Sequence, residues 1–381
     1  MVTVRCIYAD HAATTPTDPR VVEAMLPFLR ERFGNPSSLH DWGRQARMAV
    51  DEARETVADA LHCLPGEVVF TSSGTEAANL AVVGAALAHR GGTRNRILLS
   101  SVEHHCVLEC RPLLESFGYS VDLIPCEKDT SVSVQAVREM LDDRTLLVSV
   151  MHANNETGAI NDAECIGEAC RDAGVMYHCD AVQTFTLLPF RLPPADWADL
   201  ISLSSHKVYG PKGAGALFVR AGVKLSPIVV GGGQEREMRA GTESVAGIVG
   251  FAEAARLALQ DSGRAERMRA ARDAFATAIA RVGGVMFTTP DWSRVLPGHA
   301  HLRFPGRRAD AVLINLDQRG VAASSGAACS SGSIEPSHVL LAAGLSESEA
   351  QEGLRFSFGK DSTEADGMAV AQALAVSVAI K

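Results

Sequence analysis

The sequence predicts an α/β fold: a mostly parallel, mixed seven-stranded sheet with helices on both faces, joined to a smaller α+β domain. Three observations carry this. Between Val68 and Val219, short apolar runs alternate with stretches of helical period, the pattern of βα units laid into a parallel sheet. Several of those runs end next to polar residues, as strands do when they finish at a binding crevice. Near Ser244 the alternation stops and gives way to long Ala- and Arg-rich helical stretches.

Size and composition set the bounds. The chain has 381 residues, 46% of them hydrophobic and 5% aromatic, with 33 glycines. That suffices for a large core and, by length, two domains. The expected division is a large domain over 15–258 and a small one over 1–14 and 259–381 that carries the loop around Cys329. A formal net charge of −9 argues against a general binder of nucleic acid or anionic membranes. No apolar run approaches the roughly 20 residues of a membrane span, so no direct membrane binding is expected. The opening MVTVRCIYADHAATTP has no basic region followed by an apolar core, so no signal peptide is expected either. The 9 cysteines are irregularly spaced and form no CxxC pair, which suits a reducing compartment and a cytoplasmic protein. The one local cluster with metal-ligand character is His104-His105-Cys106 with Cys110, a weak motif, and no metal site is expected.

In chain order, Ile7-Tyr8 is a short apolar opening. Asp18-Pro19 then reads as an N-cap followed by a proline in the first turn, and that helix ends near Phe33-Gly34-Asn35-Pro36. Apolar residues from Trp42 to Ala60 recur at helical spacing, giving a helix over His40–Leu61. Strands follow at Val68–Thr71, Arg96–Ser100, Tyr119–Ile124, Thr145–Val150, Val175–Cys179, Asp199–Ser204 and Ala214–Val219. Helices are expected at Glu76–His89, His104–Phe117, Val132–Leu141 and Ala163–Ala173. The last strand follows its predecessor too closely for a helical crossover, so it should run antiparallel to it. Helices at Ser244–Leu259 and Arg264–Arg281 lead out of the sheet. Val285–Thr288, His301–Phe304, Ala309–Gln318, Leu354–Phe358 and a terminal helix make the smaller domain.

The strand ends supply the chemistry. Asp180 closes one apolar run and Lys207 closes the next. An acid that can hold a protonated pyridine nitrogen, beside a lysine that can form a Schiff base, is the pair that pyridoxal 5′-phosphate (PLP) requires. Lys212, in a turn-like Gly-Pro-Lys-Gly, competes for the Schiff base, but Lys207 sits at the strand end beside His206 and is preferred. Gly74 and Thr75 open a helix whose N–H groups favour a phosphate; the ordinary alternative is an N-cap by Ser73 or Thr75. Ser204 and His206 can add hydrogen bonds to that phosphate. His104 is placed to lie over a pyridine ring or to carry a proton near it. Arg355, alone in an apolar strand, needs an anion: a substrate carboxylate or an internal salt bridge. Gly231-Gly232-Gly233-Gln234-Glu235-Arg236 matches no nucleotide motif and reads as a flexible loop or a subunit contact. Cys329 stands in a run of small residues, Ala323 to Ser333, that cannot build a core. A cysteine there is a candidate nucleophile.

With these motifs in place the chain resembles the cysteine desulfurases of the NifS/IscS type, class V aminotransferase-like PLP enzymes of fold type I. The resemblance runs almost end to end. It includes YADHAATTP (Tyr8–Pro16), FGNPSSLH (Phe33–His40), FTSSGTEAANLA (Phe70–Ala81) and VEHHCVLE (Val102–Glu109). It continues through VSVMHANNETG (Val148–Gly158), YHCDAVQ (Tyr177–Gln183), SHKVYGPKGAGAL (Ser205–Leu217) and SSGAACSSGSIEPSHV (Ser324–Val339). The resemblance implies that Lys207 carries the Schiff base, Asp180 meets the ring nitrogen, Gln183 meets the ring hydroxyl and His104 stacks on the ring. It also implies that Gly74, Thr75, Ser204 and His206 bind the phosphate together with Thr242 of a second subunit, hence a homodimer. Asn155 and Arg355 would hold the carboxylate of L-cysteine. Cys329 would take the sulfur as a persulfide, leaving L-alanine, and pass it to an acceptor protein such as an iron–sulfur scaffold or a thiolation protein. Ser205 departs from the glycine usual in the family, Ala327 from a common serine, and Thr184-Phe185-Thr186 is bulkier than usual. Two other readings are a different enzyme of the same fold, a selenocysteine lyase or aminotransferase, and an inactive scaffold homologue.

Overall fold

The structure is a computed structural model that describes residues 6–326 and 336–379. The strands, in chain order, are β1 (Ile7–Tyr8), β2 (Val68–Thr71), β3 (Arg96–Ser100), β4 (Ser120–Ile124), β5 (Thr145–Ser149), β6 (Met176–Asp180), β7 (Leu200–Ser204), β8 (Gly215–Val219), β9 (Met286–Phe287), β10 (His299–Arg303), β11 (Val321–Ala322) and β12 (Gly353–Ser357). The first helices are α1 (Pro19–Arg30), α2 (Asp41–Leu61) and α3 (Gly74–Ala88).

A seven-stranded sheet in the order β2-β8-β7-β6-β5-β3-β4 forms the centre. β7, β6, β5, β3 and β4 are mutually parallel. β8 is antiparallel to both β7 and β2, as the short connection after Lys207 requires. Residues alternate between the faces of a strand, so Leu98 of β3 joins one apolar cluster while Ile97 and Leu99 join the other. The first cluster packs against α1, α2 and the helices Ala163–Asp172 and Val245–Gln260. The second packs against α3. β5 and β7 are buried along their whole length, which is why they read as continuous apolar runs rather than alternating ones.

The smaller α+β domain is built on an antiparallel sheet, β12-β10-β9, packed with the helices Arg264–Ile279 and Glu364–Ala379 around Phe275, Phe356 and Leu374. The two helices cross closely because residue 367 is glycine: a Cβ there would lie 2.1 Å from the carbonyl oxygen of Ala271. Phe275 and Phe356 stack with centroids 4.6 Å apart, and truncating either to alanine would cost about 3–5 kcal/mol.

Two differences from the sequence reading have local causes. The helix expected over His104–Phe117 is two short ones, His105–Leu108 and Arg111–Ser116. Pro112 has no N–H to offer the Leu108 carbonyl and interrupts the ladder. β11 and the short helices His338–Ala342 and Glu347–Ala350 had no assignment. The last of these carries a recognisable signal, a capping box between Ser346 and Glu349.

Candidate active site

Because β2, β7, β6, β5 and β3 point the same way, their C-terminal ends share one edge. A cavity of about 300 Å³ opens there. It gathers Gly74, Thr75, His104, Asn155, Asp180, Gln183, Ser204, His206, Lys207 and Arg355. Lys212 is exposed and outside it. Thr242 does not line it; it is exposed, and its neighbour Glu243 borders a separate charged crevice of about 490 Å³ that includes Arg47, Arg54 and Glu235. Cys329 lies outside the described residues, as does Ala327.

Each side chain is held by identifiable contacts. Asp180, the last residue of β6, accepts from the Val182 N–H at 2.9 Å. Burial raises its pKa to about 6, while the Val182 N–H and the Lys207 charge act in the other direction. The Lys207 amine donates to the carbonyls of Ala12 and, at 2.8 Å, Ala13. The Gln183 amide donates to Ala12 at 3.0 Å. Thus the backbone of the N-terminal segment closes one side of the cavity, a role that backbone carbonyls cannot signal in a sequence.

Ser73 caps α3, its Oγ accepting from Glu76 N at 3.1 Å, so the capping reading and the open first turn at Gly74 and Thr75 hold together. A Cβ on Gly74 would sit 2.8 Å from a Val182 methyl and 3.2 Å from Ser204 Cβ; glycine permits that close packing. Ser204 Oγ is buried with no partner among the described residues, although Ser204 borders the cavity. His206 Nδ1 lies 3.1 Å from Thr14 Oγ1, and burial, then Lys207, lower its pKa to about 4.

His104 caps the helix that follows it, its Nδ1 accepting from Cys106 N at 3.1 Å. With Nδ1 occupied as an acceptor, the ring proton of the neutral form sits on Nε2. Burial and the neighbouring Lys207 hold its pKa down at about 4, so the ring is neutral at pH 7. Among the described residues no group of three or more His, Cys, Asp or Glu converges as metal ligands would.

Arg355 makes the internal salt bridge that the sequence offered as one of its two alternatives. It lines the cavity and ion-pairs with Asp10 at 2.8 Å. Its Nη1 donates to the Asn155 carbonyl at 2.8 Å, and its Nε is buried with no partner among the described residues. The glycine-rich segment is not loose: the Glu235 carboxylate accepts from Arg54 at 2.6 and 2.7 Å and from Phe70 N at 2.8 Å. Phe185, from the bulkier segment, is buried against Phe251. Ser205 is buried with its Oγ unpartnered, 2.1 Å from where a Cβ on residue 210 would lie; Gly210 accommodates it.

Glu103 follows β3 as one of the polar residues expected at the strand ends, with no role assigned from the sequence. Its Oε1 accepts from Ser100 Oγ and from Met151 N, both at 2.7 Å, joining the ends of the paired strands β3 and β5. Full burial raises its pKa to about 8, so it is protonated at neutral pH.

Fold and cavity define an α/β enzyme of the aminotransferase kind, with a lysine and an acid on adjacent strand ends. The chain belongs to the class-V aminotransferase family, whose profile matches residues 7–369. It is 41% identical over 364 residues to the cysteine desulfurase IscS of Dictyoglomus turgidum, covering 95% of this chain and 92% of that one. Among solved structures it resembles a NifS-like protein (TM-score 0.92, 33% identity, 99% of this chain and 100% of that one). It also resembles SspA in complex with cysteine (TM-score 0.81, 35% identity, 93% of this chain and 99% of that one).

Proposed function

We infer that the chain is a PLP-dependent cysteine desulfurase, which removes sulfur from L-cysteine, releases L-alanine and holds the sulfur as a persulfide on Cys329. The observation that carries the reading is the single cavity that gathers Lys207, Asp180, His104, Asn155 and Arg355. The residues suit PLP: a buried hydroxyl at Ser204 with no partner among the described residues, a bare helix start at Gly74 bordering the cavity and an amine and a carboxylate close enough to influence each other's charge.

PLP, when bound, supplies an electron sink that weakens the bonds at an amino acid's α-carbon. Gly74, Thr75, Ser204 and His206 would hold its phosphate, with Thr242 of a second subunit. Gln183 would meet its ring hydroxyl, and Asp180 would meet its ring nitrogen and be kept ionised by that charge. Lys207 would hold the cofactor through its aldehyde, and its Nζ would take the substrate's α-proton. His104 Nε2, the protonated atom of a neutral ring, would pass protons beside it. Arg355 and Asn155 fix the substrate carboxylate. The Cys329 thiolate attacks the substrate sulfur: a Cys329 S–S bond forms, the substrate C–S bond breaks, and its electron pair returns to the carbon that becomes the alanine methyl after protonation.

The same reading includes a homodimer, a protein acceptor for the sulfur (an iron–sulfur scaffold or a thiolation protein), and a domain boundary that leaves 15–258 as the large unit. Thiols such as buried Cys110, Cys170 and Cys179 are not in disulfides, which suits a reducing cytoplasm. Among the described residues no helix is long and apolar enough to cross a membrane.

The test is mass spectrometry of the PLP-loaded protein after incubation with L-cysteine. A 32 Da adduct on Cys329 (roughly one sulfur atom) and one alanine per adduct are expected. Cys329→Ala should retain the cofactor absorbance and form no persulfide. Undiminished sulfide release by that variant would overturn the assignment of the nucleophile.

A further inference from the structure

The turn Asn154–Gly158, which presents Asn155 to the cavity, holds a carboxylate with no part in the chemistry above. Glu156 is buried, and its backbone is fixed by Asn154 Oδ1, which accepts from Glu156 N at 2.9 Å and from Thr157 N at 3.0 Å. Its Oε2 accepts from Ser337 Oγ at 2.5 Å. That hydroxyl also accepts from Leu340 N at 3.2 Å, so one group starts the helix His338–Ala342 and ties it to Glu156. On the other side, Gly326 lies against the same side chain: a Cβ there would be 3.2 Å from Glu156 Cβ, Cγ and Oε2. Gly326 has φ +87°, which favours glycine, and its N–H donates to Ser324 Oγ at 3.1 Å. Ser324 in turn pairs with Arg355 through two backbone hydrogen bonds.

Gly326 thus packs beside the Glu156 side chain and Ser337 donates to its carboxylate, and the chain between them contains Cys329. We propose that Glu156 is a positioning residue for sulfur transfer: it clamps both ends of the Cys329-bearing segment to the turn that presents Asn155. Fixing two ends of a chain restricts the volume its middle can sample, as closing a loop does, and raises the effective concentration of the thiol at the substrate. The clamp is next to the substrate contacts in sequence and in space, since Asn155 O accepts from Arg355. The proposal rests on the desulfurase reading.

The experiment uses the PLP-loaded enzyme and three variants, Glu156→Ala, Ser337→Ala and Glu156→Gln. It measures single-turnover persulfide formation, KM for cysteine, and hydrogen exchange of peptides covering Gly326 and Ser337–Leu340. Both alanine variants should slow persulfide formation about tenfold and speed exchange at both ends of the segment. KM and cofactor absorbance should be unchanged, and Glu156→Gln, which keeps an acceptor of the same shape, should recover most of the rate. Persulfide rates within twofold of wild type in both alanine variants would overturn the proposal. So would a parallel loss of cofactor absorbance in Ser337→Ala, which would indicate general damage. If the wild type itself forms no persulfide, the desulfurase reading fails separately, and unchanged exchange in Glu156→Ala then refutes the clamp on its own.

Discussion

Nη1 of Arg355 donates to the carbonyl oxygen of Asn155 at 2.8 Å, while Nη2 meets Asp10 at 2.8 Å. The guanidinium is thus oriented from two directions. The proposed carboxylate site depends on that fork. Arg355→Ala should raise KM for cysteine about 50-fold, in keeping with the loss of charge-assisted hydrogen bonds. Arg355→Lys should recover only part of it, because an ammonium lacks the planar fork. Steady-state kinetics on the PLP-loaded variants decides; an unchanged KM in the alanine variant would remove Arg355 from the substrate site.

Asp180 should affect folding and cofactor binding in opposite directions. Burial raises its folded pKa to about 6, above the ordinary carboxylate value. Stability linked to it is therefore whole below about pH 4 and lost as pH rises through 6. Asp180→Asn, which cannot ionise, should make the apoprotein more resistant to urea at pH 8, by on the order of 2 kcal/mol, with the gain fading by pH 4. The same variant should bind PLP at least about tenfold more weakly, since it cannot offer a charge to the ring nitrogen. Urea midpoints and cofactor titration measure the two effects.

Glu103 gives a second, independent pH signature. With its pKa raised to about 8 by burial, its contribution is whole below roughly pH 4.5, declines across the window and is gone above 8. Glu103→Gln preserves the shape and the acceptor for Ser100 and Met151 and should flatten that decline. Glu103→Ala leaves both donors unpaired in the interior and should cost about 2–4 kcal/mol. Thermal melts from pH 5 to 9 on the three proteins check this; equal pH slopes for wild type and the glutamine variant would show that Glu103 is ionised throughout.

Gly74→Ala should separate cofactor binding from folding. The added methyl meets a Val182 methyl at 2.8 Å and Ser204 Cβ at 3.2 Å, contacts that side chains can relax, and alanine favours a helix more than glycine does. The apoprotein should therefore melt within a few degrees of wild type. The methyl crowds Val182 and Ser204, which border the cavity, and PLP affinity should fall about tenfold. Cofactor titration beside a melt of the apoprotein gives the answer.

Much of this could be read from the residues in order. The run-and-helix alternation located the strands of the central sheet to within a residue or so, and the short step from Lys207 to Gly215 required an antiparallel β8. The candidate residues at the strand ends were legible because a parallel sheet brings such ends to one edge whatever the loops between them do. The glycine-rich segment misled because glycines suggest mobility, and the tie that holds it, Glu235 to Arg54 and Phe70, spans more than a hundred residues.

The chain's periodicity and motifs were enough to determine the α/β class, the shared edge and the Asp180–Lys207 pair, since local period and strand polarity depend on neighbours in sequence. Only the tertiary structure decided that the carbonyls of Ala12 and Ala13 hold Lys207, that Asp10 braces Arg355, that burial raises the Glu103 pKa, and that Gly326 and Ser337 both lie against Glu156. Those contacts join residues far apart along the chain. Burial and charge at each site come from what the fold brings alongside, which no stretch of sequence contains.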